Sequence, residues 1–288
     1  MERLQVALEK ARAQREDATS QSPAPEVTPE VTPKSTPDTT PDTTSTPAPG
    51  PGIWESLAEF RCHKKKLHRN RITTFEGTKD SAPYDMLRTR ILQQIKHHGW
   101  RRVAIVSPHS NCGKSTIAAN LAFSLARQRD LRSMVLDFDL RRAGLTKILG
   151  QSGPYSMADV LEGQVGFGDH ALRYGPNVAF GLNNGTTVGA PSEILQSPKT
   201  KEILDQIEAA YNPGIMLFDM PPLMASDDNF GFLQNVDAAL LVVAAERTNM
   251  SQIDVSERHV AELTNVMGIV LNKCRYMSGA HGYEYDYY

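Results

Sequence analysis

The 288-residue sequence has few cysteines, almost no net charge and no long apolar run, and each shortage removes a class of protein. Cys62, Cys112 and Cys274 are odd in number and widely separated, which argues against a disulfide framework or a zinc site and suits a reducing cytoplasm. A formal charge of −2 gives no global field to draw the chain onto a polyanion, so no nucleic acid is expected as a partner. The longest strongly apolar run, Ala238 to Ala245, is far short of the roughly 20 residues a membrane helix needs. The charged start MERLQVALEKARAQR does not read as a secretory signal.

Proline is unevenly spread, and its distribution divides the chain. Residues 1–20 are expected to hold a short, weakly amphipathic helix with Leu4, Leu8 and Ala11 on one face. Residues 21–52 carry nine of the eighteen prolines among Thr-Pro repeats and are expected to be a disordered spacer, because so little apolar surface cannot offset ordering. Residues 53–81 form a basic connecting segment in which RCHKKKLHRNR, residues 61–71, has six Lys or Arg. That run reads as a solvated face, or as a surface for anionic headgroups or a membrane partner's cytoplasmic tail.

From 82 to 275 the pattern alternates. Tyr84 to His98 has apolar residues at helical spacing. Strands are expected near 102–107, 133–138, 177–181, 214–219, 238–244 and 267–271, with helices near 114–128, 156–162, 192–211 and 250–265. Continuous apolar strands separated by helices predict an α/β fold: a doubly wound, mostly parallel sheet with helices on both faces. Ligands in such folds bind beyond the C-terminal strand ends.

RVAIVSPHSNCGKSTIAANLA, residues 102–122, is a strand, a polar turn and a helix opened by Gly113-Lys114-Ser115-Thr116. The turn from Ser110 through Asn111 and Cys112 offers backbone N–H groups to an anion. There Lys114 would neutralise β/γ-phosphate charge and the Ser115 hydroxyl would hold Mg²⁺. The general phosphate-loop pattern has glycine where this chain has Pro108. Cys112 is read as a small filler residue within the turn.

Two more strand ends are acidic. SMVLDFDLRR places Asp137 and Asp139 on one side of an extended strand, one suited to accept a hydroxyl proton and the other to support Mg²⁺ through water, while Arg141 offsets phosphate charge. GIMLFDMPP ends on Asp219 in a Walker B arrangement, in reach of the ion that Ser115 holds.

In this order, GKST, LDFDLRR and LFDMPP resemble the bacterial tyrosine kinases of capsule and exopolysaccharide systems, within the larger class of septum-site and partitioning P-loop ATPases. YSMADVLEG, APSEILQSPKTKEIL, DAALLVVAAERT and GIVLNK agree, so the likeness runs from about 82 to 288. It implies ATP and Mg²⁺ as cofactors, Asp137 as base, Asp139 in the second Mg²⁺ shell and Asn272 as an adenine contact. It further implies a cytoplasmic enzyme, peripheral to the inner membrane through a polysaccharide co-polymerase, with self-association and a cognate tyrosine phosphatase. His109 stands where the partitioning ATPases carry a lysine, which favours the kinase branch. The ring-assembly pattern Glu-x-x-Arg-x-x-Arg is incomplete: placing its acid on Asp85 keeps Arg88 but leaves Ile91 in the last position.

The last thirteen residues, 276–288, hold five of the nine tyrosines, Tyr276, Tyr283, Tyr285, Tyr287 and Tyr288, among Gly, Glu284 and Asp286. Such spacing at a free end reads as a flexible phosphoacceptor tail, or as a sticky segment that docks on a partner. The activity implied is an autokinase acting on this tail in trans. The competing readings are a dimerising ATPase switch and a degenerate nucleotide-binding adaptor.

Overall fold

The computed structural model describes residues 52–274, apart from positions 152 and 187. The expected N-terminal helix, the spacer up to residue 51 and the five tail tyrosines lie outside the described residues.

Eight strands form one sheet: β1 Ala58–Glu59, β2 Arg102–Val106, β3 Ser133–Asp137, β4 Leu172–Tyr174, β5 Val178–Gly181, β6 Ile215–Asp219, β7 Ala238–Ala244 and β8 Asn265–Asn272. Their spatial order is β1-β4-β5-β3-β6-β2-β7-β8, and every neighbouring pair is parallel except β4 with β5. All residues of β2, β3, β6 and β7 are buried, which is why these strands read as unbroken apolar runs without alternation.

The helices are α1 Lys64–Arg69, α2 Ala82–His98, α3 Lys114–Ala126, α4 Gly144–Leu149, α5 Met157–Leu161, α6 Phe167–His170, α7 Pro191–Gln196, α8 Pro198–Tyr211, α9 Asp228–Phe232 and α10 Met250–Ala261. One face of the sheet packs Met134, Leu136 and Phe218 against Met157, Leu204 and Phe232. The other packs Val103, Ile105 and Leu217 against Ile91, Ile117 and Leu121. Successive residues of a strand point to opposite faces, so Leu217 and Asp219 share the α3 face, as do Val135 and Asp137.

Two expectations need correction. The folded unit does not begin at 82. Trp54, Leu67 and Ile72 are fully buried, the Trp54 indole donates to the Tyr211 carbonyl at 2.9 Å, and β1 pairs with β4. The basic run masks this in the sequence, because its apolar anchors follow neither a period of two nor one of 3.6. The helix expected over 192–211 is two helices, α7 and α8. Pro198 holds Ser197 extended (ψ 135°), and the Ser197 hydroxyl then caps α8 by accepting from the Lys199 N–H.

Among the described residues, no helix is long and apolar enough to cross a membrane. The three cysteines are free.

Candidate functional site: a phosphate cleft over buried carboxylates

The site lies where β3, β6 and β2 end side by side. β2 leads into a loop whose Ser107 and Pro108 carbonyls accept from the Leu223 and Met224 N–H groups at 2.8 and 3.0 Å, so the segment after β6 braces the loop after β2. Pro108, the departure from the usual pattern, thus serves as an acceptor in that brace. Gly113 opens α3 with φ 100°, and a side chain there would collide with the Asn272 amide. Only glycine combines that dihedral with that closeness at low cost.

The loop is also held from β8. Asn272 donates to the Cys112 carbonyl at 2.8 Å, and the Lys273 ammonium to the Asn111 carbonyl at 2.6 Å. In this structure, then, the Asn272 amide braces the phosphate loop, a role the sequence does not suggest. Cys112 is fully buried with its sulfur 3.4 Å from His109 Nδ1, and His109 Nε2 lies 3.0 Å from the Thr248 hydroxyl, consistent with a packing role.

Over the loop is a cleft of about 470 Å³. It is lined by Ser110, Asn111, Gly113, Lys114, Ser115 and Thr116, all read from the sequence, with Asp139 and four unforeseen cations, Arg71, Arg142, Arg247 and Lys273. Lys114 is only 7 % exposed.

Asp137 and Asp219 are in-register partners across β3 and β6, and both are fully buried. Burial, then the charges of Asp219 and Asp139, push the Asp137 carboxyl well above its ordinary range. Burial pushes Asp219 up to about 6, although Lys114 and the nearby Ser115 hydroxyl pull it back. Asp139 is raised by burial too, against the pull of Lys114 and Arg142. One oxygen of Asp137, one of Asp139 and both of Asp219 are buried without a well-formed hydrogen bond.

Buried, unpartnered carboxylate oxygens are costly unless a cation joins them. This donor set, with the Ser115 hydroxyl, fits a hard divalent ion that prefers oxygen. Among the described residues no group of three or more His, Cys, Asp or Glu is arranged to hold a metal by itself. Mg²⁺ does not need one, since it keeps waters and shares phosphate oxygens.

Arg141 does not line the cleft. Its guanidinium forks onto Asp228 at 2.8 and 2.9 Å and donates to the Ser192 hydroxyl, tying the β3 loop to α7 and α9. The next residue, Arg142, faces the cleft and donates to the Ser110 hydroxyl at 2.5 Å. The RR pair marks the place in the sequence without saying which arginine turns inward. Two further residues were missed. Asn183 donates to the Asp137 and Asp139 carbonyls at 3.1 and 3.3 Å, and Gly144 packs so closely on Ser115 that a Cβ would lie 2.9 Å from its hydroxyl. Asp85 and Arg88 are engaged within the chain: Asp85 accepts from Ser124 and Arg127, and Arg88 donates to the Ser124 carbonyl at 3.1 Å.

Comparison with known proteins agrees with this geometry. Residues 103–284 match the model of the CobQ/CobB/MinD/ParA nucleotide binding domain. The chain is 28 % identical over 182 residues to tyrosine-protein kinase ptk of Acinetobacter johnsonii, a match that covers 62 % of this chain and 24 % of that protein. It is 27 % identical over 226 residues to tyrosine-protein kinase YwqD of Bacillus subtilis (strain 168), covering 77 % of this chain and 92 % of that one. The chain thus spans about a quarter of the length of the first of these relatives. In fold it is similar to the kinase domain of Escherichia coli tyrosine kinase ETK, with a TM-score of 0.62 at 20 % identity over 72 % of this chain and 82 % of that chain. It is likewise similar to the chimerical protein CapA2B2, with a TM-score of 0.63 at 20 % identity over 76 % of this chain and 92 % of that chain. Phosphate loop, acidic strand ends, sheet order and family match therefore converge: the chain belongs to the CobQ/CobB/MinD/ParA family of nucleotide-binding domains.

Proposed function

We propose that the protein is an ATP-dependent protein-tyrosine autokinase whose acceptors are Tyr276, Tyr283, Tyr285, Tyr287 and Tyr288, reached in trans on another copy. The observation that carries this reading is the buried pair Asp137 and Asp219, in register beside the phosphate loop. The names of the relatives, tyrosine-protein kinases, support the choice of acceptor.

In the proposed reaction the tyrosine oxygen forms a bond to the γ-phosphorus as the bond from that phosphorus to the β–γ bridging oxygen breaks. The electron pair leaves with ADP, and the hydroxyl proton passes to Asp137. Asp137 is suited to that role by its place, buried at the end of β3 in register with Asp219 beside the phosphate loop. Lys114 and Arg142 offset charge on the transferring group, and the loop N–H groups orient it. Mg²⁺, when bound, supplies charge neutralisation at the β- and γ-phosphates; Ser115, Asp139 and Asp219 are the residues that would hold it.

The setting proposed is control of capsule or exopolysaccharide polymerisation and export, at the inner membrane through a co-polymerase's cytoplasmic segment. The alternative is an ATPase switch of the partitioning type, favoured by the family match alone. Incubation with Mg-ATP, followed by mass spectrometry for phosphotyrosine and an assay for free phosphate, separates them. Phosphotyrosine on the tail supports the kinase. Free phosphate without it sinks the kinase and leaves the switch.

A further inference from the structure

The family match starts at β2, and the motif resemblance at residue 82, yet part of the phosphate cleft comes from upstream of both. Arg71 lines it beside Thr116, Gly144 and Ile148. This residue follows the last turn of α1 with φ 60°, a conformation in which glycine is the low-cost choice. Its backbone is fixed from two sides.

The first tether is Asn120, fully buried on α3, the helix that Lys114 opens. Asn120 Nδ2 donates to the Arg71 carbonyl at 3.1 Å and to the Thr116 carbonyl at 2.9 Å. Its Oδ1 accepts the Thr73 and Thr74 N–H groups at 3.0 and 3.3 Å, and its own carbonyl accepts the Thr74 hydroxyl at 2.7 Å. One amide side chain thereby sews residues 71–74 to the phosphate-loop helix, with its donors and acceptor all in use. The second tether is the Asn70 amide, which donates to the Ile148 carbonyl at 2.7 Å on α4, the helix whose first residue packs on Ser115.

So much fixation of a residue whose side chain is exposed in the cleft calls for a ligand on that side chain. Among the described residues no salt bridge forms to Arg71, and its charge is felt by Tyr84 on α2. Apart from Ile148 and two glycines the lining side chains are polar or charged, and none is an aromatic ring to stack a base. A guanidinium in such a wall suits phosphate oxygens, which it can engage with two parallel N–H groups.

We propose that Arg71 binds a phosphate group of the nucleotide held by the Lys114 loop, and that Asn120 is the positioning residue that aims it. This rests on the nucleotide-binding reading of the cleft. It makes the segment before residue 82 a working part of the nucleotide site.

The test is a titration of the full chain with Mg²⁺ and a fluorescent ADP analogue, at low and moderate salt. Arg71→Ala should weaken binding by about tenfold or more, as loss of a charge-assisted hydrogen bond does, and should flatten its salt dependence. Without nucleotide its melting temperature should match wild type, since alanine is no less strained than arginine at that dihedral. Arg71→Lys should recover part of the affinity. Asn120→Ala should weaken binding too, and combined with Arg71→Ala it should weaken it no further than Arg71→Ala alone, because both remove one interaction. Should Asn120→Ala fail to fold, Thr74→Val, which cuts one stitch, replaces it. Wild-type affinity in Arg71→Ala overturns the assignment, and additive losses in the pair overturn the role of Asn120. A wild-type chain that binds no ADP, or binds it as well after Lys114→Met, overturns the nucleotide reading itself.

Discussion

Asp137 and Asp219 stand opposite each other on adjacent parallel strands, both wholly buried, and the charge of Asp219 is one reason the Asp137 carboxyl titrates so high. Buried carboxyls placed in register cost the fold stability unless cations offset them. Asp137→Asn should therefore raise the melting temperature of the metal-free protein by several degrees, corresponding to roughly 1–3 kcal/mol, while phosphotyrosine formation falls by about 10²–10⁴-fold. Calorimetry beside a phosphorylation time course checks both; a variant less stable than wild type would contradict the repulsion argument.

Arg141 and Arg142 are neighbours with separate tasks. Burial raises the Asp228 carboxyl, but hydrogen bonds from Arg141, Ser192 and Ser226 outweigh it and hold the group below its ordinary range. Arg141→Ala removes two of those hydrogen bonds and should destabilise the protein by roughly 1–3 kcal/mol, with little direct effect on nucleotide affinity. Arg142→Ala should do the reverse, leaving the melting temperature nearly unchanged and weakening ATP binding. Melting curves and nucleotide titrations on the two variants give a crossed pattern if the geometry is right.

Trp54 belongs to the core although a basic run follows it. Trp54→Ala removes a fully buried indole, its hydrogen bond to Tyr211 and its packing on Arg132, at a cost of about 3–5 kcal/mol. A fragment that starts at residue 82 loses β1 and α1 as well and should not melt cooperatively. A sharp transition for that fragment in circular dichroism would restore the boundary at 82.

Much of this architecture is legible in the residues. The buried strands announce themselves as apolar runs, and GKST, Asp137, Asp139 and Asp219 fall at strand ends because ligands in such sheets bind there. Arg71, Arg247 and Lys273 were invisible for a different reason: they reach the cleft from loops distant in sequence, and no local spacing records that meeting. Asn272 shows a third limit. Its position at the end of β8 is readable, but whether its amide meets a ligand or the loop depends on side-chain geometry.

His170 offers a pH test away from the carboxylates. Burial lowers its imidazole below the ordinary 6.5, against the Leu182 backbone and the Asp159 charge, which pull it up. Below 6.5 the unfolded chain takes up a proton that the folded one resists, so stability is lost as pH falls through that window and regained as pH rises. Wild type should lose more melting temperature between pH 7.5 and pH 5 than His170→Leu does. Equal losses would remove His170 from the account.

The end of β8 has a mechanical consequence. Asn272 and Lys273 grip two successive carbonyls of the phosphate loop, and the tyrosine-bearing stretch of the sequence begins three residues beyond Lys273. Any displacement of the end of β8 is felt first at those two grips, so the strand end and the loop act as the two ends of one short lever.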